Sequence, residues 1–328
     1  MSRITYMQAV REGIREEMRR DDSLFFIGED VGPYGGEMGL SKGLWEEFGD
    51  LRVRDFPIAE SLIVGSGLGA ALVGARAIVE IPFGDFIGVA MDQIYNQAAK
   101  MHYMFGGNVR IPLLIRTVMG AYQGGAAQHS QSLEAWLAHV PGLKVVMPSN
   151  AYDAKGLLKT ALKDNNPVVF IEHKKLYQKK CEVPDGDYAI PFGQANVVRE
   201  GQDITVVATS YMVSFAQETA AALAGEGIDL EIIDPRTIVP FDEAAVLDSL
   251  KKTGRLLIVQ EACRRASFAG EIVSIAADKG FSSLKQAVKI VAAHDVPVPF
   301  SPVLEEYMLP QVQDIVDMAR AMMQEGRE

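Results

Sequence analysis

Cysteine is scarce. The 328 residues hold two, Cys181 and Cys263, far apart and in no Cys-x-x-Cys pair. That excludes a disulfide framework and suits a reducing compartment. Long apolar runs are missing too. The longest uncharged apolar stretch, Leu62 to Ala75, contains four glycines and falls short of the ~20 residues of a membrane span. The amino terminus lacks the apolar core of a signal peptide, so the expected location is cytoplasmic, with no membrane attachment. Positive charge is outnumbered: 32 Lys and Arg against 43 Asp and Glu give a net charge of −11. Neither nucleic acid nor an anionic membrane is an expected partner of such a chain. No HExxH, GxSxG or GxxxxGK[ST] motif occurs, and no cluster has the ligand spacing of zinc.

What is present is a soluble globular composition, 48% hydrophobic and 23% charged. The length is too great for one ordinary core, so two domains are expected. Thr5 to Arg20 has helical spacing, with Met7, Val10, Ile14 and Met18 on one side. Strand-like runs follow at Ser23 to Gly28, Ala77 to Ile81, Ile111 to Thr117, Leu143 to Met147 and Val168 to Glu172. Helical stretches at 61–75, 91–104 and 151–163 alternate with them. The alternation lapses over 178–192 and resumes with strands at 204–208, 230–233 and 255–260 and helices at 213–225 and 242–252. The expected fold class is α/β, with two parallel-sheet domains. Residues 1–177 form the first, 178–192 link them, and 193–328 form the second. Ligands of such sheets bind beyond the C-terminal ends of the strands.

Three segments attract chemistry. Glu60 heads the small and apolar run that begins at Ser61. Burial there raises a carboxyl pKa and makes a proton carrier near neutral pH; equally, a first-turn carboxylate sits well on a helix dipole. His129 follows a Gly-rich loop beyond the strand at 111–117, which suits a general acid or donor, or a histidine bonded to nearby backbone. Phe86 stands beyond the strand at 77–81, where an aromatic either stacks on a planar ligand or joins the core. Gly65, Gly67 and Gly69 also fit G-x-G-x-x-G/A, with Glu80 near the place of a ribose-binding acid. A nicotinamide dehydrogenase is therefore an alternative. Against it, too little strand precedes Gly65, and the glycines fit a closely packed helix.

Together these segments resemble the β subunit of the thiamine-diphosphate-dependent E1 component of 2-oxo acid dehydrogenase complexes, over essentially the whole chain. The landmarks include Ile27-Gly28-Glu29-Asp30-Val31, Phe56-Pro57-Ile58-Ala59-Glu60, Ala127-Gln128-His129-Ser130, Asp164-Asn165-Asn166-Pro167 and Asp234-Pro235-Arg236-Thr237. The resemblance implies a pyrimidine-binding domain followed by a transketolase C-terminal-like domain. It implies that Glu60 bonds N1′ of the aminopyrimidine and promotes loss of the thiazolium C2 proton, with Phe86 stacked on the ring. Ile58 contributes contacts on the same loop, Glu29 is an acid near the cofactor, and His129 assists acyl transfer to lipoamide. It also implies a structural potassium ion held by Leu113, Ala161, Leu162, Asp164 and Asn166.

The chain has no Gly-Asp-Gly segment of the kind that holds Mg²⁺ and the diphosphate in thiamine enzymes. An α subunit is therefore expected to hold Mg²⁺ and that half of the cofactor, in an α2β2 heterotetramer. The resemblance implies a second partner, the E2 dihydrolipoyl acyltransferase. Leu284-Lys285-Gln286-Ala287 departs from an acidic pattern in relatives and puts a simple acid-to-arginine docking of E2 in doubt. Pyruvate is the first expected substrate and acetoin the second, because Asp85-Phe86-Ile87-Gly88 and Phe300-Ser301-Pro302-Val303-Leu304 are similar to acetoin dehydrogenase β subunits. Branched-chain 2-oxo acids rank third. A non-catalytic scaffold subunit is the remaining alternative.

Overall fold

A computed structural model describes residues 1–325. The chain forms two compact units: residues 1–119 with 136–192, and residues 120–135 with Gly193 onward.

Unit 1 begins with β1 (Ser2–Thr5) and α1 (Tyr6–Arg20), then β2 (Leu24–Glu29), α2 (Trp45–Phe48), β3 (Val53–Phe56), α3 (Glu60–Leu72) and β4 (Arg76–Ile81). After α4 (Ala99–Met104) come β5 (Leu113–Met119), α5 (Glu134–Ala138, whose first two residues belong to unit 2), β6 (Lys144–Val146), α6 (Ala151–Lys163), β7 (Val168–His173) and β8 (Lys180–Val183). Six strands lie in the order β6-β7-β5-β4-β2-β3, and every pairing among them is parallel. Their near-continuous apolar sequences follow from burial on both faces. The capping box at the start of α1 is reciprocal: Thr5 Oγ1 accepts from Gln8 N at 3.1 Å while Gln8 Oε1 accepts from Thr5 N at 2.9 Å. α1 packs on α6, and Glu16 of α1 accepts from Lys155 at 2.7 Å and Lys159 at 2.6 Å.

The helix expected over 91–104 is present, but Asp92–Ala98 is wound as a π-helix before α4. Apolar spacing over two turns does not separate the two windings. Residues 178–192, read from sequence as connecting chain, also cover unit 1. β8 pairs antiparallel with β1, Tyr188 stacks on Tyr152 at 4.8 Å, and Ile190 is buried.

The glycine triplet of the dinucleotide alternative lies within α3. A Cβ on Gly67 would collide with Val79 and stand 3.0 Å from Leu113 Cδ1. Gly67 brings α3 close to β4 and β5, and the triplet does not form a strand-to-helix turn, so the nicotinamide reading fails at its main motif.

Unit 2 contains β9 (Asn196–Arg199), β10 (Ile204–Ala208), α7 (Met212–Leu223), β11 (Leu230–Asp234), β12 (Thr237–Val239), α8 (Glu243–Thr253) and β13 (Leu256–Cys263). It continues with α9 (Phe268–Lys279), β14 (Lys289–Ala293), α10 (Pro302–Met308) and α11 (Val312–Glu325). Its sheet runs β14-β13-β10-β11-β9. The pairings are parallel except for edge strand β9. Val206, Ile232 and Val259 from the sheet meet Phe215 of α7 and Ile315 of α11 in one core. No helix among the described residues is long and apolar enough to cross a membrane.

Candidate active site

The expected residues of unit 1 divide between two opposite edges of its sheet. Glu29 ends β2. Ile58 and Glu60 follow β3. Phe86 lies in the 3₁₀ segment Gly84–Ala90 that follows β4. All four therefore belong to the C-terminal edge of three adjacent parallel strands.

Glu60 is the first residue of α3. Ala59 before it is non-helical (φ −154°, ψ 82°) and supplies no side-chain cap. The carboxylate therefore stands at the positive end of the helix dipole. Glu60 is only 8% exposed and makes no hydrogen bond or ion pair among the described residues. Ile58, two residues earlier, is 74% exposed. Burial, followed by repulsion from Asp30, Glu37 and Glu60, pushes the Glu29 carboxyl above its ordinary value. Glu29 thus senses the charge of Glu60. Phe86 meets Phe83 edge to face, with ring centroids 6.5 Å apart. Asp55 accepts from Gly32 N at 2.5 Å and so ties the loop after β2 to the end of β3.

Behind this edge lies a network that the sequence reading missed. In register across the sheet, Gly28 stands beside Glu80, and Glu80 beside Arg116. Arg116 is buried and bonds Glu80 and Glu172, with its Nη2 3.0 Å from Glu172 Oε2 and 2.6 Å from the Tyr177 hydroxyl. Burial alone would lower the Arg116 pKa, but Glu172 and Glu80 outweigh it and hold the guanidinium well above its ordinary value. Glu80 itself is pushed up by burial, partly offset by Arg116. The acid proposed for a ribose is therefore committed to a buried arginine. The strand-end position of Glu80 was visible in the sequence, but its partners lie on other strands.

The potassium candidates gather at the opposite edge. Leu113 begins β5, while Ala161, Leu162, Asp164 and Asn166 end α6 and lead into β7. The carbonyl oxygens of Leu162 and Asp164 accept from Arg76 at 2.9 and 2.7 Å. Against the upward push of burial, Lys144 and Asn166 hold the Asp164 carboxyl below its ordinary value.

His129 belongs to unit 2, on a segment running from 120 to 135. Gly120 N donates to Gln131 O at 3.3 Å and closes the base of its loop. Glu261 of β13 accepts from Ala121 N at 2.6 Å, and the Tyr122 hydroxyl donates to Pro310 O at 2.9 Å. The half-buried His129 is carried on the returning leg. Unit 2 also holds a cavity of about 420 Å³ lined in part by Ser130, Glu261, Cys263 and Asp295.

Comparison with known proteins identifies two family domains. The transketolase pyrimidine-binding domain family matches residues 2–180 and the transketolase C-terminal domain family matches 193–315. The chain is 47% identical to the β subunit of acetoin:2,6-dichlorophenolindophenol oxidoreductase of Cupriavidus necator, over 97% of each chain. It is 44% identical to the pyruvate dehydrogenase E1 β subunit of Rickettsia felis, again over 97% of each. A split-gene transketolase solved as an inactive β4 tetramer superposes with a TM-score of 0.81 at 21% identity, covering 99% of this chain and all of that one.

Proposed function

Because this chain belongs to the transketolase-like β subunits of thiamine-diphosphate-dependent 2-oxo acid dehydrogenase E1 components, we propose that the C-terminal edge of unit 1 holds the aminopyrimidine half of that cofactor. The supporting observation is Glu60: a buried residue whose carboxylate has no partner among the described residues, near an exposed apolar residue and on the same strand edge as an aromatic ring. A carboxylate so placed can share a proton with a ring nitrogen. In this proposal Glu60 holds or passes a proton at N1′, Phe86 stacks on the ring, and Ile58 covers its edge. Glu29, with its raised pKa, adds a second acid beside Glu60. Thiamine diphosphate, when bound, supplies the carbon nucleophile that attacks the substrate carbonyl. His129 is assigned to acyl transfer toward a lipoyl group, which makes an E2 acyltransferase the downstream partner.

The family is an oxidoreductase one whose β subunits work with an α subunit. We assign Mg²⁺ and the diphosphate half to that α subunit, in an α2β2 assembly. The carbonyl oxygens at 113, 161, 162 and 164, with Asn166, form a donor set suited to potassium. A cation there shares two of those oxygens with Arg76, each of which has a second lone pair. Acetoin is the proposed substrate, favoured by the 47% identity to an acetoin-oxidising subunit and by the segments 85–88 and 300–304. Pyruvate is the second reading, supported by a relative at 44%.

Calorimetry of thiamine diphosphate with Mg²⁺ tests the shared site. Tight binding by the chain coexpressed with its α subunit, and none by the chain alone, is the expected result. Tight binding by the lone chain would refute the division of the cofactor between subunits. Reduction of 2,6-dichlorophenolindophenol by the coexpressed pair, with acetoin, pyruvate or 3-methyl-2-oxobutanoate in turn, decides the substrate. Glu60→Gln is expected to lower kcat by about 10²-fold or more, the usual worth of a positioned proton carrier. Unchanged turnover would instead support a scaffold role.

A further inference from the structure

We infer that Glu305 is a positioning residue for His129. This rests on His129 serving acyl transfer. The loop that carries His129 adopts an unusual backbone: Tyr122, Gly124 and Ala126 have φ of 66°, 69° and 57°. Only glycine takes that region readily, and two of the three residues are not glycine. A crown of this kind persists only where its surroundings hold it.

Two of those holds come from one segment of the chain. The Gly124 N–H donates to both carboxylate oxygens of Glu305, at 3.2 and 3.1 Å. Glu305 is 5% exposed and lies in α10. Pro310, two residues past the end of α10, receives the Tyr122 hydroxyl, while the Tyr122 ring packs edge to face on Tyr211 and Phe215. One segment, residues 302–310, therefore supplies two of the loop's anchors. The crown is also joined tightly to the returning leg. A Cβ on Gly125 would stand 2.9 Å from the His129 carbonyl oxygen and 2.7 Å from Ser130 Oγ. With so little clearance, Gly124, Gly125 and His129 move together, and a shift at Gly124 reaches the imidazole. Glu305 touches no substrate in this account; it sets where His129 stands.

The test uses the reconstituted α/β complex with thiamine diphosphate and Mg²⁺. Turnover with free lipoamide, read as S-acyldihydrolipoamide formation, and turnover with the dye are measured side by side, with thermal unfolding of each variant. Glu305→Ala is expected to lower lipoamide-linked kcat by about 10- to 100-fold, the cost of misplacing a reacting group by about 1 Å. KM for the acyl donor and the dye-linked rate should stay near wild type. Glu305→Gln keeps an acceptor oxygen at the same reach and should restore most of the loss. In a His129→Ala background, Glu305→Ala should add nothing, because both act at one place.

Losses that multiply would overturn the inference, as would equal losses in both assays with a lowered melting temperature. If Glu305→Ala does not fold, Glu305→Asp, which withdraws the carboxylate by one methylene, takes its place with the same expectations. If His129→Ala loses lipoamide turnover and the Glu305 variants do not, the inference fails alone. If His129→Ala keeps full turnover, the reading of His129 fails and the inference falls with it.

Discussion

Glu134 should make the stability of this chain fall as pH rises through neutrality. It is 2% exposed, and its Oε2 finds no hydrogen-bond partner among the described residues. Burial raises its carboxyl, its own backbone N–H pulls back, and the charge of Glu261 adds to the rise, so that it titrates at about 7 where 4.5 is ordinary. Between those two values the folded chain keeps a proton that the unfolded chain has released. Stability from this group is therefore complete below about 4.5 and lost progressively up to about 7. At about 1.4 kcal/mol per pH unit the full loss is on the order of 3 kcal/mol. Glu134→Gln keeps the shape and removes the titration. Urea unfolding of both chains from pH 5 to 9 measures the difference directly. The curves should nearly coincide at pH 5 and separate with rising pH, the variant becoming more stable by about 3 kcal/mol above pH 7. Curves that stay parallel across the range would refute the assignment, because no other group is altered between the two chains.

Two further perturbations test other parts of the fold. Arg116→Met leaves Glu80 and Glu172 buried without their cation and should destabilise unit 1 by about 3–5 kcal/mol, read by denaturant unfolding; a loss under about 1 kcal/mol would mean that the carboxylates are satisfied by other groups. Replacing NaCl by KCl at constant ionic strength should raise the melting temperature if the oxygens at the N-terminal edge bind potassium, by the equivalent of about 2.7 kcal/mol at a hundred times Kd. Identical melting in both salts would dismiss that site.

The alternation of apolar runs and helical periods made both parallel sheets legible in the sequence, because burial on both faces leaves strands apolar from end to end. The same rule failed for short elements. β1, β3 and β8 have four residues each, too few for periodicity to register. It also said nothing of which unit each loop joins. His129 follows β5 of unit 1 in sequence, yet its segment packs with unit 2. The carboxylates that hold it, Glu261 and Glu305, lie more than a hundred residues away. Contacts of that range leave no local trace. The strand-edge rule went further. It put Phe86 beyond a strand end, while the cofactor roles of Glu29, Ile58 and Glu60 came from the family resemblance because β3 was not legible; the structure sets all four at the C-terminal edge of β2, β3 and β4, and the potassium candidates at the other.

The contrast between Glu60 and Glu80 shows what the sequence leaves out. Both are buried acids at the C-terminal edge of one sheet, on neighbouring segments, and each had a functional reading from its position alone. Register decides between them. Glu80 stands beside Arg116 on the adjacent strand, and its charge is spent inside the protein. Glu60 begins a helix whose following residues are small and apolar, and it forms no ion pair among the described residues. A buried carboxylate left in that state costs free energy unless a proton or a ligand group completes it. Glu80 is completed inside the protein; for Glu60 the proposal is that a ligand group completes it, which Glu60→Gln in the coexpressed pair tests.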